Sequence, residues 1–377
     1  MMVGLMLEAR KENVERIDRL KILILANNDV GLYKFRKELI EELLKKNTVY
    51  ISLPYGSFVE DLCNMGCEFI DTSMDRRGMN PFKDVKLLIA YFRMIRKYKP
   101  DLVITYTIKP NVYGGLSCRL LKIPYAMNIT GLGTAFEQDG ILKALVIKMY
   151  RIACKKAKVV FFENEDNRQL FIREHIVNVK RTHKLNGAGV NLEEYRVMEY
   201  PTEQKIHFLF MGRIMKEKGI EELFAAMSRL INEGVDCCLD VLGESEEDYK
   251  DLITQYENEG WLHYYGYQKD VKPFIKQCHC FVLPSWHEGM ANTILESAAS
   301  GRPVITSDIP GCREAIEDEI TGFLCKCKDV KSLYVGMKKF LMLSYDEKRK
   351  MGGKARKRME RFFDKKGVIC ETIEQLY

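Results

Sequence analysis

Two short segments carry cations, carboxylates and glycines at spacings that suit the binding of a phosphorylated ligand. The first runs from Phe210 to Ile220 and places Arg213 and Lys218 beside glycines, after a predicted strand. Two cations near a helix N-terminus suit a diphosphate, because the side chains and the first amides of the helix both attract anions. Two solvated charges in an ordinary loop explain this segment equally well when it is taken alone.

The second segment runs from Leu283 to Glu296 and contains two carboxylates eight residues apart. Eight residues span slightly more than two helical turns, so we place Glu288 in a loop and Glu296 on the helix that follows. Carboxylates accept hydrogen bonds from sugar hydroxyls, and the first amides of a helix have no partner within it. We therefore expect this segment to hold a sugar, a ribose or a phosphate. The alternative is that Glu288 caps the helix and Glu296 is merely exposed.

Both segments lie in a chain that alternates short apolar runs with longer amphipathic stretches, a pattern that predicts strands and helices in turn. Such alternation predicts parallel sheets covered on both faces, and thus an α/β protein with two doubly wound, Rossmann-like domains. In the first half the predicted elements are the strands 22–26, 48–52, 68–70, 102–105, 125–128 and 159–162 and the helices 33–46 and 83–98. In the second half they are the strands 206–211, 240–242, 263–265, 280–283, 304–306 and 322–324 and the helices 220–232, 291–300 and 330–343.

The boundary between the domains is predicted near 190–205, where Pro201 interrupts the periodicity. This gives domains at residues 1–198 and 199–360, followed by a basic C-terminal helix at 361–377. Ligands bind at the carboxyl ends of such sheets. The G-x-G-x-x-G fingerprint is missing after the first strand, where residues 27–31 lead into the helix instead, and no Walker A motif occurs. Hydride transfer and P-loop chemistry are therefore disfavoured.

Composition excludes several other classes of protein. Of the 377 residues 46% are hydrophobic and 30% charged, the mixture of an ordinary globular protein. The 12 cysteines form no C-x-x-C pair, which argues against a zinc framework and for reduced thiols. Cys278-His279-Cys280 resembles a metal motif, but alternate residues of a strand point to opposite faces. No apolar run approaches the roughly 18 residues of a spanning helix, so we expect a cytoplasmic protein.

The net charge of +6 is unevenly distributed along the chain. Residues 1–200 carry +9, and the remainder carries −3. Within the first part, residues 141–160 hold six Lys and Arg residues and no acid. One interpretation is a helix resting on an anionic membrane; the other is a packed helix with a solvated basic face. Nucleic acid is not indicated, because no interleaved aromatic and basic pattern occurs.

The Gly-Arg…Lys-Gly segment and the E-x7-E helix together resemble the retaining family 4 glycosyltransferases with the GT-B fold, in which two Rossmann-like domains face each other across a cleft. The resemblance implies that residues 199–360 bind a nucleotide-sugar donor. Arg213 and Lys218 would bind its diphosphate and Glu288 its sugar. The other implied donor-binding residues are Gly212, Gly289, Met290, Ala291, Asn292 and Glu296, the last on the ribose hydroxyls.

The segments 31–36, 75–81, 105–114 and 130–136 are similar to the subgroup that makes bacterial surface polysaccharides on polyprenyl-diphosphate carriers. The resemblance implies transfer of a hexose or N-acetylhexosamine, from a donor favoured to be UDP-linked, to a lipid-linked saccharide at the inner face of the membrane. Residues 1–198 would bind this acceptor, with the C-terminal helix packing back on them. The acceptor-site candidates are Gly31, Phe35, Arg77, Asn80, Lys109, Asn111, Gly131 and Gly133. A histidine that several family members carry near 107–109 is absent here.

The chemistry is predicted to need neither a metal ion nor a cofactor. Many transferases hold Mg²⁺ or Mn²⁺ on a D-x-D motif, which this sequence lacks. Fixed cations and a helix N-terminus would then stabilise the departing diphosphate. Two alternatives stay open at this point: a sugar-nucleotide epimerase of similar fold, and an inactive scaffold subunit of a polysaccharide complex.

Overall fold

A computed structural model describes residues 19–75, 80–132, 136 and 140–377. The predicted acceptor-site residues Arg77 and Gly133 lie outside the described residues. The described chain divides into two compact units. The first holds the residues up to Phe161 together with 169–183 and 375–377, and the second holds 162–168 and 184–374. The predicted division after residue 198 and the ligand assigned to each domain stay predictions.

The first unit contains a seven-stranded sheet with the strand order β3-β2-β1-β4-β5-β6-β7. Its strands are β1 Leu20–Leu25, β2 Asn47–Leu53, β3 Glu68–Asp71, β4 Leu102–Tyr106, β5 Tyr125–Ile129, β6 Val159–Phe162 and β7 Thr182–Lys184. Strands β3, β2, β1, β4 and β5 pair in parallel. The helices of this half of the chain are α1 Asp29–Leu44, α2 Val59–Asn64, α3 Pro81–Tyr98, α4 Gly115–Leu121, α5 Ile141–Cys154 and α6 Glu165–Arg173.

The second unit contains a parallel six-stranded sheet with the order β10-β9-β8-β11-β12-β13. Its strands are β8 Ile206–Met211, β9 Cys237–Leu242, β10 Leu262–Tyr264, β11 Cys280–Leu283, β12 Val304–Ser307 and β13 Gly322–Cys325. The helices are α7 Ile220–Asn232, α8 Lys250–Asn258, α9 Lys272–Gln277, α10 Asn292–Ala299, α11 Val330–Met342, α12 Tyr345–Phe362 and α13 Lys365–Leu376.

Both sheets have the doubly wound strand order, in which the chain reverses direction across the sheet between its first and fourth strands. The reversal lies between β1 and β4 in the first unit and between β8 and β11 in the second. Strands β4, β5, β9 and β11 are buried at every position, because helices cover both faces. The predicted fold class is confirmed. In each sheet the loops diverge at this reversal, which leaves room for a ligand.

Local sequence explains where the main helices begin and end. The side chain of Asn28 accepts a hydrogen bond from the amide of Gly31 and caps α1, while Asn80 caps α3 ahead of Pro81. The C-terminal segment contains two helices, and most of the helix predicted at 361–377 corresponds to the second of them, α13. Ser344 and Glu347 form a capping box at the start of α12, and α13 follows after a break at residues 363–364.

Candidate functional site

The two chemically promising segments lie at the strand-order reversal of the second sheet. Arg213 and Lys218 follow β8, and Glu288 follows β11, which is paired with β8. The carboxyl ends of these parallel strands point to the same edge of the sheet. Residues separated by about 70 positions in the sequence are therefore brought to one place by the topology.

A glycine closes the first loop against the second. Gly219 has a φ of +72° and follows a short 3₁₀ turn at Lys216–Lys218. A Cβ at this position would lie 2.1 Å from the carbonyl oxygen of Pro284, so only glycine permits the approach. The amide of Trp286 also donates to the carbonyl of Glu217 at 2.9 Å. These contacts fix the position of Lys218 relative to the loop after β11.

The close backbone approach between the loops after β8 and β9 depends on Gly243 and not on Gly212. Gly212 has ordinary space for a Cβ, whose nearest neighbour would be the ring of Phe210 at 3.5 Å. At Gly243, which has a φ of +139°, a Cβ would lie 1.8 Å from the carbonyl oxygen of Gly212. The amide of Gly212 donates to the carbonyl of Leu242 at 2.9 Å. The loops after β8 and β9 are thereby held together, and the sequence requires glycine on the β9 side.

Lys218 and Glu288 form the central ion pair of the site. The Lys218 ammonium lies 2.5 Å from Glu288 Oε1, and both side chains are less than one-fifth exposed. The hydroxyl of Ser285, a fully buried residue, donates to the same oxygen at 2.8 Å. Burial, and to a lesser degree the nearby Glu288 carboxylate, raises the pKa of the Cys312 thiol. The carboxylate is thus fixed by two donors, one of which carries a full positive charge.

Arg213 is turned towards the loop after β9. Its guanidinium donates to Glu246 at 2.9 Å, and the Arg213 side chain is 45% exposed. The amide of Lys216 donates to the neighbouring Glu247 at 2.9 Å. Sequence reasoning missed these acids, although Glu244, Glu246 and Glu247 form an obvious cluster after a predicted strand. A solvent-exposed pair of this kind is weak, so Arg213 can exchange its carboxylate partner for a phosphate at little cost.

The segment 289–292 is anchored by buried contacts on both sides. The amide side chain of Asn164, which is fully buried, donates to the carbonyl of Gly289 at 2.7 Å. The amide of Ala291 donates to the carbonyl of Gly311 at 2.9 Å. The Ala291 amide is therefore already committed within the protein. Met290 is buried against Gly187. A Cβ added to Gly187 would lie 2.4 Å from the Cγ of Met290.

Helix α10 begins at Asn292, one residue later than predicted, and carries Glu296 one turn further on. Among the described residues, Oδ1 of Asn292 is buried without a hydrogen-bond partner. Tyr195 hydrogen-bonds Glu296, and the pKa of Tyr195 is raised, first by burial and then by that carboxylate. Tyr195 is a second residue that the sequence analysis did not identify, since it lies in an irregular segment without periodicity.

The acceptor-site candidates among the described residues lie on several elements of the first unit. Lys109 follows β4 and lies 2.7 Å from Asp84 of α3, with both side chains less than one-fifth exposed. Asn80 caps the same helix. Gly31 belongs to α1, where a Cβ would lie 3.1 Å from the capping oxygen of Asn28. The two other described candidates are the half-buried Phe35 and, after β5, Gly131 with a φ of +147°.

Asn111 has a packing role in the structure. It is almost fully buried; its amide nitrogen donates to the carbonyl of Asn128 at 2.8 Å, and its oxygen accepts from the hydroxyl of Thr105 at 2.6 Å. Burial raises the pKa of Tyr150, and a hydrogen bond with Asn111 offsets part of this rise. These bonds tie β4 and β5 to the turn at Pro110–Gly114 and leave the amide of Asn111 no exposed surface for an acceptor.

The loop after β4 has a strained backbone at Thr107. This residue has a φ of +71°, which is rare for a β-branched residue, and its hydroxyl oxygen is buried without a partner among the described residues. A π-helical turn at Pro110–Gly114 follows, and such turns are frequent at functional sites. On α1, Arg36 is buried with its guanidinium 5.1 Å from the ring of Tyr106. A strained residue, a π-helical turn and a buried cation thus lie at the same end of the sheet. This combination is typical of a binding site.

The described residues contain neither a cluster of metal ligands nor a membrane-spanning helix. No group of three or more His, Cys, Asp and Glu side chains there could hold a metal ion. Cys278 and Cys280 are fully buried in the core, while His279 points to the other face and accepts from the amide of His207 at 3.1 Å. None of the described helices combines the length and apolarity needed to cross a bilayer. Metal independence stays a prediction.

Known families and proteins match nearly the whole chain. Residues 21–164 match the family "Glycosyl transferase 4-like", and residues 193–358 match "Glycosyl transferases group 1". A Campylobacter jejuni N,N'-diacetylbacillosaminyl-diphospho-undecaprenol alpha-1,3-N-acetylgalactosaminyltransferase is 24% identical over 376 residues, covering 95% of this chain and 98% of its own. An Escherichia coli UDP-Gal:alpha-D-GlcNAc-diphosphoundecaprenol alpha-1,3-galactosyltransferase is 28% identical over 275 residues, covering 68% of this chain and 70% of its own.

Solved structures match the fold at lower sequence identity. The Anabaena protein Alr3699/HepE, solved in complex with UDP and glucose, superposes with a TM-score of 0.79. It is 15% identical, and the match covers 95% of this chain and 99% of that one. The superposition supports the predicted GT-B fold.

Proposed function

Since the chain belongs to the group 1, family 4-like glycosyltransferases of the GT-B fold, we propose that it moves a hexose or N-acetylhexosamine from a UDP-linked donor to a polyprenyl-diphosphate-linked saccharide. Transfer occurs with retention of the anomeric configuration. The protein is a hexosyltransferase, and its two matching family regions together span residues 21–164 and 193–358.

The observation that carries the proposal is the Lys218–Glu288 pair at the strand-order reversal of the second sheet. It places a cation and a carboxylate side by side on two different loops, which suits a ligand that has both a phosphate and a sugar. Lys218 and Arg213 would attract the diphosphate. Glu288 would accept hydrogen bonds from sugar hydroxyls, and Glu296 from those of the ribose. Gly219 and Gly311 support the geometry because each lies where a Cβ would strike backbone of the β11 loop.

Electrostatics supplies the catalysis in this proposal. As the bond between the anomeric carbon and the phosphate oxygen breaks, its electron pair leaves with the nucleoside diphosphate, which gains negative charge. Lys218 and Arg213 stabilise that charge. The acceptor hydroxyl attacks from the same face, and its proton passes to the departing phosphate oxygen. No carboxylate of the protein is needed as nucleophile, in keeping with an ion-paired Glu288.

The acceptor part of the proposal rests on the relatives and on the first unit. Both curated relatives described above are named for acceptors on a diphospho-undecaprenol carrier. The strained loop at Thr107 and the buried Arg36 lie at the matching end of the first sheet. A lipid-linked acceptor is embedded in a bilayer, so we propose that the protein approaches an anionic membrane.

Helix α5 supports that contact only in part. Leu145, Lys148 and Ile152 are exposed on it, spaced as one helical face. However, the guanidinium of Arg151 donates to the carbonyl of Glu174, and the Lys158 ammonium donates to the carbonyl of Leu376. Part of the basic stretch therefore has a structural role, and Lys148, Lys155 and Lys156 are the exposed cations left for lipid phosphate.

Transfer of labelled sugar from a UDP-linked donor to a polyprenyl-diphosphate-linked aminosugar tests the proposal directly. We expect product only when donor and acceptor are both present, with EDTA leaving the rate unchanged. Lys218→Ala should lower turnover about 10²- to 10³-fold, while Lys216→Ala, an exposed neighbour in the same turn, serves as the matched control. Conversion of the donor alone to an epimer, or loss of all activity in EDTA, contradicts the proposal.

A further inference from the structure

Helix α3 presents an exposed apolar stripe that no contact in the described chain covers. Phe82, Val85 and Ile89 are 80%, 55% and 42% exposed. They lie three and four residues apart, so they form a single line along one face of the helix. The opposite face, with Leu87, Tyr91 and Ile95, packs into the core. A surface helix normally turns such residues inward, and three large apolar side chains on one outer face therefore require an explanation.

Cations continue the same face, and no acid interrupts it. Lys86, Arg93, Arg96 and Lys97 are all exposed. Within Pro81–Tyr98 the one acid is Asp84, which is less than one-fifth exposed and pairs with Lys109. The outer face of α3 thus combines apolar residues in its first half with positive charge in its second. This is the composition of helices that lie in the interface of an anionic bilayer.

Two neighbouring helices extend the apolar and basic surface. The hydroxyl of Ser117 on α4 contacts the carbonyl of Leu88 on α3 at 3.5 Å, and the guanidinium of Arg119 donates to the carbonyl of Ile152 on α5 at 3.0 Å. The three helices are therefore consecutive on the first unit. The described side chains of α4 and α5 include three exposed apolar ones, Leu120, Leu145 and Ile152, at 68%, 52% and 40%.

The apolar end of α3 is the end nearest the predicted acceptor site. Asp84, two residues after Phe82, pairs with Lys109 in the loop after β4 and also hydrogen-bonds Tyr113, whose pKa is raised chiefly by burial. An element inserted into lipid at Phe82 would hold that loop at the depth of the headgroups. A diphosphate on a lipid carrier lies at the same depth.

We propose that α3 is the membrane-inserting element of this protein, with Phe82, Val85 and Ile89 entering the interfacial layer of a bilayer and Lys86, Arg93, Arg96 and Lys97 contacting anionic lipid phosphates. The inference rests on the proposed function for the reason why the protein meets a membrane, but its test needs no substrate. Lipid is the occupant, because an exposed face with cations and no carboxylate complements anionic headgroups along its whole length.

Depth-dependent fluorescence quenching tests insertion. Phe82→Trp is compared with Met342→Trp, because Met342 is 81% exposed on α11 of the second unit. With vesicles of about 30% phosphatidylglycerol containing brominated acyl chains, we expect quenching of the tryptophan at 82 and none at 342 above the background of the two native tryptophans. Equal quenching at both positions, or none at 82, overturns the proposal.

Vesicle sedimentation tests the contribution of each half of the stripe. The triple variant Phe82→Ser/Val85→Ser/Ile89→Ser should lower partitioning about tenfold or more, and Met342→Ser/Val335→Ser, with similar exposed fractions, should leave it unchanged. Lys86→Glu/Arg93→Glu should remove the advantage of anionic over zwitterionic vesicles. Urea midpoints equal to that of the wild type show that the variants fold. Unchanged partitioning of the folded triple variant contradicts insertion by α3.

The same variants separate this inference from the proposed function. Transfer to a short-chain, water-soluble acceptor analogue should proceed at the wild-type rate in the triple variant. If the wild type transfers sugar but partitions without α3, the inference fails and the proposed function stands. If it partitions through α3 but transfers nothing, the proposed function fails instead.

Discussion

The Lys218–Glu288 pair provides the sharpest test of the site, because its two partners are predicted to contact different parts of the donor. At a separation of 2.5 Å, the Coulomb attraction is about 7 kcal/mol at an effective dielectric constant near 20. Desolvation of the two ions offsets several kcal/mol of this. Lys218→Met leaves the Glu288 carboxylate, 12% exposed, with Ser285 as a donor, and we expect a loss of about 3 kcal/mol in the free energy of unfolding.

The double variant Lys218→Met/Glu288→Gln removes both charges and should recover most of that loss. Urea unfolding of all four proteins then gives a coupling energy of about 2 kcal/mol. The loss should persist at 0.5 M NaCl, since buried pairs are screened little. Lys338→Met is the control, because the Lys338–Glu233 pair is exposed and should contribute little. Additive effects of the two single substitutions would refute the idea that the residues support each other.

Nucleotide binding by the same variants separates the predicted roles. Lys218→Met should weaken binding of UDP, since it removes a cation from the diphosphate. Glu288→Gln should bind UDP at least as tightly as the wild type, because Lys218 no longer has a carboxylate partner, yet its turnover should fall. Calorimetric titration with UDP measures both. Weaker UDP binding in Glu288→Gln would show that the carboxylate does not compete with the phosphate.

Two further predictions concern the backbone and pH. Gly219→Ala should lower stability and UDP binding more than Gly234→Ala, because both have similar positive φ but only Gly219 faces a carbonyl at 2.1 Å; equal thermal shifts with UDP would contradict this. A hydrogen bond that the His207 imidazole donates to the Asp240 carboxylate, and secondarily one with Cys238, raises the pKa of His207 to about 10. Burial lowers the pKa of His279 to about 4. The pKa of a histidine in the unfolded chain is near 6.5. His207 therefore contributes to the free energy of unfolding below pH 6.5, and this contribution is lost as the pH rises towards 10. The contribution of His279 is present above pH 6.5 and is lost as the pH falls towards 4. The urea midpoint of His207→Asn should approach that of the wild type at high pH. A difference between the two midpoints that grows as the pH rises would contradict this prediction.

Periodicity predicted most of the fold because buried parallel strands are read directly as short apolar runs. Strands β8 and β11 and helix α7 lie where the sequence places them. Strand β9 begins at Cys237, three residues before the prediction, since its first residues are cysteines that look neither strongly apolar nor β-branched. The short helices α8 and α9 were missed because polar surface residues hide a single buried position in each, Ile253 and Ile275.

The donor loops were predictable because chemically distinctive residues cluster there, but their partners were not. Tyr195 reaches the site through a tertiary contact that leaves no periodic trace in the sequence. Glu246 belongs to a visible acidic cluster, but only the fold shows that it contacts Arg213. Conversely, Asn111 looked like a polar residue in a loop, and only the structure shows its amide bonded between β4 and β5. A polar side chain after a strand can therefore serve a ligand or the core, and burial decides between them.

The same principle applied to basic residues changes where a membrane contact should be sought. The composition of the acid-free stretch at 141–160 suggested a membrane contact there. However, Arg151 and Lys158 donate hydrogen bonds to backbone carbonyls of the protein. Helix α3 has an acid and an ordinary composition, but Asp84 turns inward to Lys109 and leaves the outer face wholly apolar and cationic. Charge reversal at Lys86 and Arg93 should therefore impair binding to anionic vesicles more than reversal at Arg151 and Lys158. The opposite ranking would restore the compositional interpretation.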